Sequence, residues 1–130
     1  MIYREVLPSL PPEEKFNLNS QIRRAATSVP ANIAEGYGRF YYQSNIQFCY
    51  IARGSLEELL SHLVLVHDLG FLQNELYLKI IEEGNNLVIL INGYIAYLKK
   101  TKHGEKEPGN SNFIREENVT YAVQKTDDQV

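Results

Sequence analysis

Cysteine is nearly absent from this 130-residue chain, where Cys49 stands alone. With no second cysteine there is no internal disulfide, which points to a reducing, cytoplasmic setting. A basic-then-apolar leader is lacking at the N-terminus. The longest apolar stretch is interrupted by Asn85, Asn86, Asn92 and Gly93, so neither a membrane span nor a membrane partner is expected. Charge of one sign is not in excess either. Thirteen Lys and Arg stand against 16 Asp and Glu, a net −3, which gives no whole-molecule attraction to nucleic acid but leaves room for a local basic patch. No internal repeat is present. What remains, 44% hydrophobic and 22% charged residues, is the make-up of one globular domain with one modest core.

Catalytic and metal chemistry are also thinly provided. His62 and His67 are five apart and share a helical face poorly, and the paired Glu-x-x-His elements of a di-iron bundle are missing. Glu58 and His62 are four apart and read as a surface contact. "EGYGR" has a G-x-G, but it follows a helix rather than a strand and lacks the third glycine of a dinucleotide loop. Cys49 lies on an apolar helix face and reads as a buried, inert thiol. Asn118-Val119-Thr120 fits a glycosylation sequon that is incidental without a secretory signal. No catalytic residue, metal site or cofactor is expected.

Helical periodicity dominates the first hundred residues. "MIYREVLPSLP" is too short for a full helix and ends in a proline-rich turn. Pro11-Pro12 followed by Glu13-Glu14 makes a helix start, with proline where its N–H is not needed and carboxylates at the positive end of the dipole. From there a helix is expected to about Phe40, with the apolar row Leu18, Ile22, Ala25, Val29, Ile33 and Tyr37, a kink at Pro30, and Gly36 and Gly38 marking its end. A second helix runs from about Tyr42 to Leu69 on Cys49, Ala52, Leu56, Leu59, Leu60, Leu63 and Val66, with Gly70 as cap. A third runs from Gln73-Asn74 to about Lys100 on Ile80, Ile81, Leu87, Val88, Ile91, Tyr94, Ile95 and Leu98, closed by Lys99 and Lys100 at the negative end of the dipole.

After Lys100 the composition turns polar, and residues 101–130 carry four Lys and Arg against six Asp and Glu. "NVTYAVQ" alternates like a short strand but has no partner strand, so the tail reads as mostly unstructured. The expected organisation is a helical bundle domain over 1–100 and a polar C-terminal tail over 101–130. The fold class is all-α, an antiparallel up-down bundle of three long helices plus a truncated remnant of a first helix, with a mostly irregular tail.

A polar stripe sets the functional question. Gln21, Arg24, Ser28, Asn32, Glu35 and Arg39 are spaced three or four apart and share one face. One reading is a solvated surface with internal ion pairs. Against it, Ala25, Ala26, Ala31 and Ala34 flank the stripe and permit close approach of another backbone. Asn and Ser are also mediocre helix formers, so bonding rather than propensity should hold them there. The next helix offers Arg53, Gly54, Ser55, Glu57 and Glu58 opposite. The residues expected in an interhelix or subunit network are therefore Gln21, Arg24, Ser28, Asn32, Glu35, Arg39, Arg53, Ser55 and Glu58.

"QIRRAATSVPANIAEGYGR" followed by "FCYIARGSLEELLSHLVLVHDLGFL" resembles the small bacterial four-helix-bundle proteins also called 23S rRNA intervening-sequence proteins. The likeness runs from about Val6 to Leu98. Its signature falls on Gln21, Arg23, Arg24, Ala25, Ser28, Asn32, Ile33, Ala34, Glu35, Gly36, Arg39, Ala52, Gly54, Ser55, Leu56 and Glu58. The resemblance implies an up-down bundle assembled into a closed ring, commonly a pentamer, associated with RNA or nucleoprotein and without known catalysis. Two features depart from it. Such proteins carry a complete helix ahead of the "LP" turn, where this chain has only "MIYREVL", so either the start lies further upstream or a truncated bundle exposes an apolar groove. The tail beyond Lys100 is not required by the family pattern, and could fold back on that groove through Phe113, Ile114, Val119 and Tyr121.

Two functions of different class follow. The first is a non-catalytic homo-oligomeric scaffold or adaptor engaging RNA or a nucleoprotein. Candidate nucleic-acid contacts are Arg23, Arg24, Arg39, Arg53 and Tyr41, with Tyr37, Phe40 and Tyr42 as further stacking rings. Five Lys and Arg are matched by five Asp and Glu over residues 10–60, which favours mutual neutralisation and packing of those groups over an exposed basic band. The second is an enzyme acting on nucleic acid or a small molecule, with a polar centre at Arg24, Glu35 and Glu58. An enzyme needs those residues to converge on an open pocket, whereas a scaffold consumes them in mutual bonds or at a subunit contact.

Overall fold

The computed structural model describes residues 1–102. Expectations for the tail, including the strand-like "NVTYAVQ", the fold-back through Phe113, Ile114, Val119 and Tyr121, and the sequon at Asn118, lie outside the described residues. Three long helices carry the fold: α1 (Leu18–Tyr37), α2 (Tyr42–Asp68) and α3 (Asn74–Thr101). Ahead of them come one π-helical turn at Ile2–Val6 and two 3-10 turns at Leu7–Ser9 and Pro12–Glu14. Among the described residues there is no strand.

The Pro-Pro-Glu-Glu segment does not start α1. It closes a 3-10 turn, with Glu14 and Lys15 N–H donating to the Pro11 and Pro12 carbonyls. The chain then breaks at Asn17, whose φ of −123° and ψ of −98° are not helical. Asparagine competes with its own backbone for hydrogen bonds, which suits such a boundary. The Glu14 carboxylate still serves the helix. Its Oε2 accepts from the Leu18 N–H at 3.4 Å and from Asn17 Nδ2 at 3.2 Å, placing negative charge at the positive end of α1. Helical backbone then continues through Pro30, which lacks the N–H that would have bonded the Ala26 carbonyl.

α2 ends in a Schellman motif. The Phe71 N–H donates to the Val66 carbonyl at 3.1 Å and the Gly70 N–H to the His67 carbonyl at 2.9 Å, with Gly70 at φ +82°. That left-handed residue is open to glycine without steric cost, and it turns the chain into α3. His67 braces the turn. Its ring stacks on Tyr77 at 3.9 Å, and its Nε2 lies 3.1 Å from Asn74 Oδ1.

α2 is the central helix, and both neighbours run antiparallel to it. On one side Arg24 meets Glu58, Ser28 meets Ser55, and Gly36 lies on Asn45 and Phe48. On the other, His67 meets Asn74, Arg53 meets Asn92, and Asn45 meets Tyr94. The core between them contains Leu18, Ile22, Ala25 and Val29 of α1. α2 adds Cys49, Leu56, Leu59, Leu63 and Val66, and α3 adds Ile80, Ile91, Ile95 and Leu98. The opening residues join it as well, since Val6 and Leu7 are buried in the same cluster.

Two positions of the expected apolar rows fall elsewhere. Tyr37, at the last turn of α1, is 78% exposed, because the residue that meets α2 at this level is Gly36, about 100° away around the helix. Leu87 is also exposed, on the flank of α3 rather than its buried face.

Candidate assembly and nucleic-acid interface

The polar stripe of α1 divides along its length. Its middle faces α2. Ser28 Oγ and Ser55 Oγ are 2.8 Å apart, and Asn32 Nδ2 donates to Ser28 Oγ at 2.9 Å and to the Ser28 carbonyl at 2.8 Å. Small hydroxyl side chains let the two helices approach, and the half-buried hydroxyls satisfy each other. One turn earlier, Arg24 reaches Glu58 at 3.4 Å, with both side chains largely in solvent. A long, exposed pair of this kind contributes between zero and about 1 kcal/mol. Glu58 also faces His62 Nε2 at 3.5 Å.

The ends of the stripe instead bond locally, to residues four positions away in the same stretch of chain. Gln21 Nε2 donates to Asn17 Oδ1 at 3.0 Å, and Arg39 pairs with Glu35, one helical turn away, at 2.8 Å. Arg53, grouped by sequence with the residues facing α1, turns to α3. Its guanidinium donates to Asn92 Oδ1 at 2.6 Å and lies 4.9 Å from the Tyr50 ring centre. The reason is angular: Arg53 and Ser55 are only two residues apart in sequence but about 200° apart around a helix of 3.6 residues per turn. Arg24 and Glu35 are eleven residues apart, or about 16 Å along the axis at 1.5 Å per residue, so the trio Arg24, Glu35 and Glu58 does not converge.

Each candidate nucleic-acid arginine has a partner. Arg23 Nε donates to Asn19 Oδ1 at 2.7 Å and its guanidinium sits 5.2 Å from the Tyr3 ring. Arg39 adds a contact with the Phe48 ring at 4.9 Å. Tyr41 packs edge-on against Phe40, with ring centres 4.9 Å apart. Tyr42, offered as a stacking ring, is buried in the core.

One open groove of about 590 Å³ lies where the last turns of α1 and α3 meet the start of α2. Tyr37, Arg39, Phe40, Asn45, Tyr94 and Tyr97 line it, with Gly38, Leu98 and Thr101 completing the wall. Asn45 is only 6% exposed, and its Nδ2 donates to Tyr94 Oη at 3.0 Å. The Cys49 thiol, 3.7 Å away, points to Asn45 Oδ1 from the core side. Burial pushes that thiol from an ordinary 9.0 up to about 11, which keeps it protonated and unreactive.

Asn45 and Tyr97 escaped the sequence reading. A signal for Asn45 was present, since it sits four residues before Cys49 on the buried row of α2, where an amide must be hydrogen-bonded. Nothing in the period marks Tyr97, because it lies off the apolar row of α3.

Among the described residues no group of three His, Cys, Asp or Glu side chains is placed to hold a metal ion. None of the described helices is long and apolar enough to cross a membrane. No curated protein matches the chain. The profile of the 23S rRNA-intervening sequence proteins matches residues 1–93, covering the opening turns, α1, α2 and most of α3. The chain belongs to the 23S rRNA-intervening sequence protein family.

Proposed function

We propose that the protein is a non-catalytic helical scaffold that works as a homo-oligomer. One observation carries this reading: α3 presents large aliphatic side chains to solvent away from the core. Ile89 and Leu90 are 62% and 68% exposed, and Leu78, 57% exposed, lies on the same side of α3 as Ile89. Covering such a side chain fully is worth about 1.5–3 kcal/mol, so a contact burying several of them gives a stable assembly. A second copy of the chain is the partner we assign, in a closed ring of the pentameric kind that the family resemblance implies.

The polar stripe supports a structural role over an enzymatic one. Ser28, Asn32 and Ser55 bond to one another at the α1–α2 seam, while Arg24, Glu35 and Glu58 are spread along it. Light scattering of the purified protein tests the assembly. A ring of five gives a mass about five times the 14.9 kDa chain, and Leu90→Asp lowers it. A wild-type monomer, or a Leu90→Asp variant of unchanged mass, sinks the reading.

RNA or a nucleoprotein is the partner we assign to that scaffold, in the cytoplasm. Support comes from the exposed rings of Tyr37, Phe40 and Tyr97 gathered beside Arg39 at one end of the bundle. The arginines further along α1 and α2 are engaged with Asn19, Glu58 and Asn92, so the weight falls on the aromatic end.

A further inference from the structure

We infer that the groove at that end of the bundle is a pocket for one planar heterocycle with hydrogen-bond acceptors on its edge, a nucleobase held between tyrosine rings. The proposal rests on the RNA reading for the base's source when it belongs to a strand, but the pocket's chemistry stands apart from assembly.

Three properties of the groove select this ligand. The first is its walls. Tyr37, Phe40 and Tyr97 are 78%, 62% and 58% exposed and come from three different segments: the last turn of α1, the α1–α2 connection and the end of α3. Tyr94 and Tyr97 lie nearly parallel, 14° apart with centres 6.3 Å from each other. Flat rings on several sides of an open groove offer faces for stacking, and every base has a π-face to match.

The second property is the floor. A buried asparagine on the apolar row of a helix is costly unless its amide is used. Asn45 uses it by donating to Tyr94 Oη at 3.0 Å. A tyrosine hydroxyl both accepts and donates, so the Tyr94 oxygen, having accepted from Asn45, still has its proton to give. The floor therefore offers a positioned donor to an acceptor such as a ring nitrogen or a base carbonyl.

The third is the rim. Arg39 lines the groove, and its guanidinium has five N–H groups in a fixed fork. Glu35 takes one edge at 2.8 Å and the Phe48 ring holds the plane at 4.9 Å, so a phosphate attached to the base can meet the remaining donors. Gly38, on the same rim, adds no side chain to close the mouth. An aliphatic helix from a partner would waste the Asn45–Tyr94 donor, and a free anion would waste the rings.

Titrating the isotope-labelled full chain with nucleoside monophosphates and with short single-stranded RNA, read by amide and tyrosine-ring NMR, tests the inference. Shifts concentrated at Gly38, Asn45, Tyr94 and Tyr97 are expected, with the Ser28–Ser55 seam unmoved. Tyr37→Ala and Tyr97→Ala, both at exposed positions that spare folding, each weaken binding roughly five- to 150-fold, the span measured for one base–aromatic stack. Tyr94→Phe weakens it several-fold, and Glu82→Ala on the exposed part of α3 leaves it unchanged. Binding of RNA that survives both tyrosine replacements overturns the pocket while leaving the RNA reading intact. Mononucleotide binding without RNA binding upholds the pocket as a free-nucleotide site and removes the RNA reading. No shift with either ligand overturns both, and light scattering on the same samples reports assembly independently.

Discussion

Adding one methyl group at Gly36 should destabilise the protein, while the same methyl at Gly54 or Gly93 should stabilise it. All three glycines are helical, and at such a site Gly→Ala is worth about 1 kcal/mol in favour of alanine. Nothing lies within 4 Å of the space a Cβ would fill at Gly54 or Gly93, so that gain is expressed there. At Gly36 the methyl would stand 2.7 Å from Asn45 Oδ1, 2.8 Å from Phe48 Cβ and 3.1 Å from the Asn45 carbonyl oxygen. Phe48 Cβ is one bond from the backbone and cannot swing aside, so α1 and α2 must separate. Overpacking of this kind costs about 1–3 kcal/mol and outweighs the propensity gain over most of that range. Gly36→Ala is therefore expected to fall about 1–3 kcal/mol below Gly54→Ala. For a domain of this size each kcal/mol moves the midpoint by about 4–8 °C. Urea and thermal melts followed by far-UV circular dichroism measure the gap, at matched protein concentration because assembly makes the midpoint concentration-dependent. A Gly36→Ala variant as stable as Gly54→Ala would refute the close helix contact inferred at that position.

Two further outcomes follow from single residues. Gly70→Ala places a Cβ at φ +82° and should cost about 1–2 kcal/mol in the same melts, with Gly70→Asn recovering part of it; equal stability of all three proteins would remove the argument for the left-handed turn. The Cys49 thiol is raised from 9.0 to about 11 by burial, so the folded state disfavours its thiolate. The stability this gives is fully present below pH 9 and is lost as pH rises through 11, about 3 kcal/mol in all. The urea midpoint should fall more steeply between pH 9 and 11 in the wild type than in Cys49→Ala, and parallel slopes would count against a buried thiol.

The amino-acid sequence by itself determined the helices and most of their ends. The apolar period of α2 placed Cys49, Ala52, Leu56, Leu59, Leu63 and Val66 on one buried face, because a 3.6-residue repeat leaves no other arrangement that buries them all. Gly70 marked the end of that helix, since a left-handed residue favours glycine. Local chemistry misled where two rules competed: Pro11-Pro12-Glu13-Glu14 made a sound helix start, yet it forms only a 3-10 turn ahead of the break at Asn17.

Tertiary structure alone decided what the polar and small residues do. Gly36 read as a helix stop, but it is the point where α1 and α2 touch, a fact held by Phe48 twelve residues away. Arg53 read as a partner for α1, yet it belongs to Asn92 on α3, because residues two apart, such as Arg53 and Ser55, point to nearly opposite sides of a helix. The groove of Tyr37, Asn45, Tyr94 and Tyr97 exists only where three helix ends meet. Periodicity reports which face of one helix is buried, and it is silent about what two helices build together at their ends.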